Sequence, residues 1–447
     1  MLEKIFKLRQ NGTNIRTEMV AGSTTFLTMS YIIFVQPAVL SGCGMDFGAV
    51  MTATCISSAF ACILMALLAN YPIALAPAMG HNFYFAFTIC GPVIAGGLGY
   101  SWQIALGANL IAGALLLILS FFGARELVIS IIPDSLKSAI AVGIGLLIAL
   151  VGFEYGGIIV DKPGTLVGLG DPKSPEMWLS LFGVMAIGTM VALKIRGAIL
   201  YGIIGTAFIG VPLGLVHYQG IVSMPPSIEP TLLKCDPVKI LTHPGLISIV
   251  FIFFFLDLFD TVGTVVGVGE QGGFYKNGKF PRIKQVFLSD AMGTISGAIL
   301  GTSTVTSYIE SAAGIQSGGR TGLSNIVTAC LLLLSLLFYP VIKMVGGGYQ
   351  TAQGNYLYPI VAPSLIIVGS MMVFNVKNIK WEDPTEALPA FLTFTVMPFS
   401  LSITEGLSFG FISYSILKLI TGKARNTHWA IHLVSATFIA RYFFLRT

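Results

Sequence analysis

Pro72-Ile-Ala-Leu-Ala-Pro77-Ala-Met-Gly80-His81-Asn82 and, far along the chain, Thr302-Ser-Thr-Val-Thr-Ser-Tyr308-Ile-Glu310-Ser-Ala-Ala-Gly314 are the stretches that decide the fold. Each opens with six or seven residues suited to extended backbone and then turns to Ala and Gly, which suit a helix. Both lie in apolar surroundings. Extended backbone there leaves N–H and C=O groups unpaired unless two stretches pair or line a cavity. The two are therefore expected to form short strands that pair near the midplane of a membrane. Each following half-helix would then aim its N-terminal amides, and its positive dipole end, at one central site. The plainer alternative is a Pro kink in the first stretch and a Ser/Thr loop in the second.

Outward from these stretches the chain is apolar almost throughout. Of its 447 residues 55% are hydrophobic and 10% charged, against roughly 25% charged in soluble domains. Too few charges remain to coat a water-soluble sphere, so one membrane-embedded body is expected. A hydrocarbon core of ~30 Å takes ~20 helical residues. Apolar length then gives 14 segments: 19–40, 49–69, 72–92, 103–122, 136–154, 177–195 and 198–217, followed by 245–268, 285–300, 302–318, 323–342, 357–376, 386–402 and 404–421. The broken stretches are segments 3 and 10. Segments 7 and 14 also match, through Gly197-Ala-Ile-Leu-Tyr-Gly202 and Gly406-Leu-Ser-Phe-Gly410. An odd number of segments per half makes the second half inverted relative to the first. Trp429 to Phe444, with His432 and Arg441, either crosses or lies at the interface.

Charge placement tests the segment count, because basic residues favour the cytoplasmic side. With a cytoplasmic N-terminus, eighteen Lys and Arg fall inward, among them Lys4, Arg16, Arg125, Lys276, Lys279 and Lys423. Only five fall outward: Lys162, Lys173, Lys234, Lys239 and Lys343, while Arg441 and Arg446 depend on the last segment. The split supports a multi-pass protein of the cytoplasmic (inner) membrane. It also makes the net charge of +5 a matter of topology rather than a nucleic-acid footprint. The first apolar run, Met19 to Leu40, lacks a signal-peptide cleavage site and reads as a retained span. The six cysteines show no CxxC pair and no clustering with His, so they read as packing residues and no metal site is expected.

Ionisable groups inside a span cost roughly 2.5–3.5 kcal/mol each, so each one marks a candidate site. Four stand out: Asp257, Asp260, Asp290 and Glu310. Asp257 and Asp260 are three apart and share a helical face with Thr261 and Thr264. Glu310 sits where a half-helix begins, so its oxygens are expected to accept backbone N–H bonds there. Asp290 falls close to the cytoplasmic rim of segment 9. His81 and Asn82 follow the break in segment 3, with Asn82 mirroring Glu310. Phe83 is next, and either Phe253 or Phe254, with Phe254 taken here, shares the face of Asp257. An aromatic wall beside carboxylates suits a flat heterocycle.

These residues resemble the AzgA-type purine permeases of the nucleobase-ascorbate transporter group over almost the whole chain. The motifs that carry it are Thr25-Phe-Leu-Thr-Met-Ser-Tyr31-Ile, Leu75-Ala-Pro-Ala-Met-Gly80-His-Asn82, Asp257-Leu-Phe-Asp260-Thr-Val-Gly263-Thr, and Tyr308-Ile-Glu310-Ser-Ala-Ala-Gly314 with Gly318-Gly-Arg-Thr-Gly322. The resemblance implies an all-α polytopic membrane protein of uracil-transporter-like fold, with 14 transmembrane segments in two inverted repeats of seven. After a cytoplasmic N-terminus (1–18), the core domain would comprise 19–122 and 245–342 and the gate domain 123–217 and 357–421, with 422–447 a C-terminal segment. It also implies a site between the paired strands, with Asp257 and Glu310 binding the base and Asp260 and Asn82 in support; Tyr308 belongs to the same motif and joins the expected site. The sequence departs from the family pattern at Ala78, His81 and Phe83, where Gly, Leu and Ala are usual, which leaves the exact base open.

A carboxylate can accept two N–H bonds at once, and guanine's N1–H and amino group fit Glu310 in that geometry. Desolvation disfavours a carboxylate's charge, so the coupling proton of a symporter is assigned to Asp257 or Asp260, with sodium as the rival ion. No cofactor is expected. The expected partners are a small purine base and membrane lipid, with no nucleic acid; a homodimer is compatible with the sequence but not fixed by it. An anion transporter of the same architecture, carrying sulfate or bicarbonate, would want basic or neutral dipolar groups where this chain places acids. A membrane enzyme is the other alternative, but HExxH, GxSxG and paired His/Asp metal spacings are all missing from the sequence.

Overall fold

A computed structural model describes residues 2–93, 97–122, 133–162, 164–242, 246–275, 280–351 and 356–444. Arg125, Lys276, Lys279 and Arg446 of the charge split, and 123–132 at the start of the expected gate domain, lie outside the described residues. The chain is mostly helical. In chain order the elements used below are α1 (Ile15–Met29), α2 (Ile32–Ser41), α3 (Phe47–Leu64), β1 (Leu75–Pro77), α4 (Met79–Phe83), α5 (Trp102–Phe122), α6 (Asp134–Tyr155), α7 (Pro175–Ala192) and α8 (Ala198–Gly210). They continue with α9 (Ile247–Gly272), α10 (Ile283–Leu300), β2 (Val305–Ser307), α11 (Ser311–Gln316), α12 (Leu323–Ser335), α13 (Tyr339–Gly346), α14 (Ala362–Val373), α15 (Pro384–Ser400), α16 (Ile403–Ile420) and α17 (Trp429–Phe444).

Among the described residues, eight helical runs are long and apolar enough to cross a membrane, the first being α1 with α2 and the last α16. The others of the 14 expected segments are shorter, broken or, like the 18-residue α10 with Lys284 and Asp290, less apolar. Segments 3 and 10 are the expected strand-then-helix units, and β1 and β2 pair antiparallel, with Leu75 opposite Ser307 and Pro77 opposite Val305. Unforeseen by the sequence, a hairpin of Ile159–Lys162 with Thr165–Leu169 joins α6 to α7. The N-terminal boundary also moves. After a short helix at Leu2–Phe6, the first long helix begins at Ile15, capped by the Asn14 side chain accepting from Thr17 N at 3.0 Å, so Glu18 belongs to that helix and is buried.

Small residues let these helices approach closely. A methyl group on Gly314 of α11 would stand 2.1 Å from Thr25 Oγ1 and 2.8 Å from the Ala21 carbonyl of α1, so only glycine fits that crossing. The Gly-rich faces of segments 7 and 14 serve the same end, with Gly202 against Ile187 and Gly410 against Thr393. The last helix, α17, runs antiparallel along α16. Ser415 Oγ meets His432 Nδ1 at 2.7 Å, Ser435 donates to the Phe411 carbonyl at 2.7 Å, and Arg441 donates to Glu405 at 2.9 Å.

Candidate functional site

Broken segments put backbone polar groups in the interior, and the structure satisfies them one by one. Beyond the β1–β2 ladder, Ala78 N donates to Thr304 O and Tyr308 N to Ala74 O, both at 2.9 Å. Ala74 N donates to Ser311 Oγ at 2.9 Å, and Leu75 N to Cys62 Sγ at 3.2 Å. Asn325 Nδ2 donates to the Tyr71 and Ile73 carbonyls at 3.1 and 2.6 Å, holding the chain that leads into β1. On the β2 side, Thr294 Oγ1 donates to Val305 O at 3.0 Å and Ser307 N to Asp290 Oδ1 at 3.2 Å. The crossing is thus a rigid scaffold, as a buried backbone requires.

Several side chains expected at the site are consumed by this scaffold. Asn82 does not stand at the start of its half-helix. The capping position is Ala78, and the Asn82 amide donates to Gln36 Oε1 while its oxygen accepts from Ser303 Oγ. Gln36 in turn donates to Thr302 Oγ1 at 2.8 Å and to Ser303 Oγ at 3.1 Å, closing the network. Asp257, expected to face the cavity, is 1% exposed and lies within hydrogen-bond distance of Thr294 Oγ1 at 3.0 Å and Thr261 Oγ1 at 3.2 Å. Asp290, expected near the cytoplasmic rim, lies at the heart of the crossing. It is fully buried, with Thr261 Oγ1 at 2.8 Å from each of its oxygens and Thr306 Oγ1 at 3.1 Å from one. The depth follows from geometry: a residue seven positions into α10 lies about 10 Å from the helix start at 1.5 Å per residue, where β2 packs alongside.

Three ionisable groups beside the crossing keep open hydrogen-bonding capacity among the described residues. Glu310 is the first. Its side chain does not cap α11, contrary to the expectation; instead Oε1 accepts the Tyr31 hydroxyl at 2.7 Å, and the carboxylate has no second side-chain partner among the described residues. The corner between α1 and α2, where Tyr31 sits, supplies that contact. Asp260 is the second, with a side chain 36% exposed and no hydrogen bond among the described residues. The third is His81, 2% exposed with neither ring nitrogen hydrogen-bonded among the described residues; its Nδ1 stands 4.0 Å from Asp260 Oδ2. Asp260 and Glu310 lie within electrostatic reach of each other, which places the three groups in one neighbourhood beside the strands.

The aromatic residues divide in the same way. Tyr308 donates its hydroxyl to the Pro77 carbonyl, and its ring lies 6.5 Å from that of Tyr31. Phe253, not Phe254, stands beside His81: the rings are 6.4 Å apart and 9° from parallel. Phe254 turns to the cluster of Leu116, Leu258 and Ala291. Phe83 is buried and stacked on Phe87 at 5.7 Å, so it lines no open region. Sequence reasoning missed Gln36, Tyr31 and Glu18. Gln36 was findable as a lone amide in the apolar run Ile32–Leu40. Glu18 accepts from the backbone N–H groups of Arg320, Thr321 and Ser324 at 2.8, 3.2 and 3.2 Å, anchoring the Gly318–Gly322 turn that leads into α12.

Comparison with known proteins follows the same lines. The pattern of the Permease family (Xan_ur_permease) matches residues 16–409. Adenine permease AdeP of Escherichia coli (strain K12) is 42% identical over 446 residues, covering 100% of this chain and 96% of its own. Guanine/hypoxanthine permease PbuO of Bacillus subtilis (strain 168) is 39% identical, covering 99% of this chain and 100% of its own. Among solved structures, the transmembrane domain of a cyanobacterium bicarbonate transporter, BicA, superposes with a TM-score of 0.60 at 15% identity, covering 89% of this chain and 97% of that one. That likeness is one of fold.

Proposed function

The chain belongs to the Permease family, among its AzgA-like nucleobase transporters, and from that premise we propose that it imports purine bases across the cytoplasmic membrane by proton symport. The observation that carries the reading is the pair of carboxylates, Glu310 and Asp260, that keep open acceptor oxygens beside the β1–β2 crossing while Asp257, Asn82 and Gln36 are satisfied. A neutral base with N–H donors fits such a site, and a sulfate or bicarbonate does not, because two acids repel an anion. Glu310 Oε2 takes the donor edge of the base, guanine's N1–H and amino group being the matching pair. Asp260 faces the same base from α9. Asp257, closed off from the chamber, is the acceptor for the coupling proton. Stacking of the base on an aromatic ring would contribute about 1–3 kcal/mol without choosing among bases.

The same premise extends to architecture. Supported by the antiparallel pairing of segments 3 and 10, the reading has 14 crossings in two inverted repeats, with α1–α5 and α9–α13 as the core and α6–α8 and α14–α16 as the gate, and the N-terminus in the cytoplasm. Alternating access would be a movement of one domain against the other about the fixed crossing. The test is uptake of labelled guanine, adenine and hypoxanthine by purified protein in liposomes, with the base recovered chemically unchanged. Absence of uptake of every purine by correctly inserted protein refutes the reading.

A further inference from the structure

We propose that His81, oriented by Asp260, is a specificity-determining residue that reads a hydrogen-bond donor on the substrate, so that the site selects guanine over hypoxanthine, which lacks guanine's amino group. The inference rests on the purine reading above and adds which feature of the base is read.

His81 is 2% exposed, and neither Nδ1 nor Nε2 is hydrogen-bonded among the described residues. Buried polar groups in folded proteins are almost always paired, so a doubly unpaired imidazole is a group that a ligand completes. Packing fixes the plane of the ring. It lies 9° from parallel to Phe253, and Phe253 is itself held edge-on by Tyr84 at 5.1 Å. Nδ1 stands 4.0 Å from Asp260 Oδ2, about 1 Å longer than a hydrogen bond.

The chemistry of the pair then sets the polarity of the free nitrogen. An ionised carboxylate only accepts, so when the gap closes Nδ1 must carry the proton it donates. A neutral imidazole has one donor and one acceptor nitrogen, which leaves Nε2 as an acceptor. The other open atoms, the second oxygen of Asp260 and Oε2 of Glu310, also accept. A site made of acceptors requires donors from its ligand. Guanine brings an amino group with two N–H bonds, one for Glu310 and one for His81 Nε2. Hypoxanthine is guanine without that group, and in its complex one acceptor stays buried and unpaired, which is how a hydrogen-bonding site rejects an analogue lacking the group.

The test is equilibrium competition on the purified full-length protein, displacing labelled guanine with unlabelled guanine and hypoxanthine. The natural protein is expected to bind guanine about 10-fold or more tightly than hypoxanthine. His81→Leu, which still holds guanine through Glu310, is expected to bring guanine and hypoxanthine within about 2- to 3-fold of each other. His81→Gln, which restores an acceptor oxygen, should recover part of the preference. If guanine binds but hypoxanthine competes equally in the natural protein, or if both variants keep the natural order, His81 does not read the base and the purine reading stands without it. If the natural protein binds no purine, both fall.

Discussion

Replacing Glu310 by Gln exchanges one acceptor oxygen for an amide NH2 at almost constant volume, and the structure says which oxygen matters. Oε1 accepts the Tyr31 hydroxyl at 2.7 Å, a bond that the amide oxygen of Gln retains, so the α1–α2 corner stays tied to α11. The NH2 then takes the place of Oε2, the open oxygen. A hydrogen bond to a charged group contributes about 1.5–3 kcal/mol, and a donor facing the donors of guanine cannot replace it. At about 1.4 kcal/mol per factor of ten, guanine affinity should fall roughly 10- to 150-fold. Stability should change by no more than ~0.5 kcal/mol, because no buried partner is orphaned. Equilibrium binding and thermal melting in detergent measure the two effects separately. An unchanged melt with guanine affinity within about 2-fold of the natural protein removes Glu310 from the site. A large loss of stability would make Glu310 a tie for Tyr31 rather than a ligand.

Gly314→Ala forces a methyl group against Thr25 Oγ1 and the Ala21 carbonyl, so α1 and α11 must separate, at a cost of about 1–3 kcal/mol; a melting temperature equal to the natural protein's would refute that crossing. Thr294→Val removes the hydroxyl that serves both Asp257 Oδ2 and the Val305 carbonyl, and should lower stability by about 1–3 kcal/mol in a chemical or thermal melt while leaving the protein monodisperse. Lys418→Met leaves Glu386, which Lys418 meets at 2.7 Å and Tyr414 at 3.0 Å, buried without its cation, at about 3–5 kcal/mol. The double variant Lys418→Met with Glu386→Gln should recover most of that loss, and equal melts for the single and double variants would show that the pair is not coupled.

The paired strands were legible because Pro72, Pro77 and the run Thr302–Ser307 are poor helix formers in apolar surroundings, where unpaired backbone has few remedies. Membrane character was legible from composition, and the presence of a polar site from acids in apolar runs. What the sequence could not assign was which acid stays open. Asp257 and Asp260 are three residues apart, yet that spacing leaves them about 60° apart around the helix, given 3.6 residues per turn. The offset is enough to turn Asp257 into Thr294 and leave Asp260 beside His81. Glu310 read as a helix cap because of its neighbours in sequence, but its partner Tyr31 lies 279 residues earlier. Asp290 read as peripheral because depth depends on where α10 starts and on β2 packing back along it, neither of which is local information.

The central claim is a coupling of purine entry to a carboxylate proton, and its most direct measurement is accumulation in liposomes containing only this protein. With labelled guanine outside, no sodium present and an acidic exterior, the account predicts accumulation above the equilibrium level, collapse on adding a protonophore, and loss of accumulation in Asp257→Asn, with exchange of guanine across the membrane retained. Accumulation that needs sodium and survives the protonophore would contradict it.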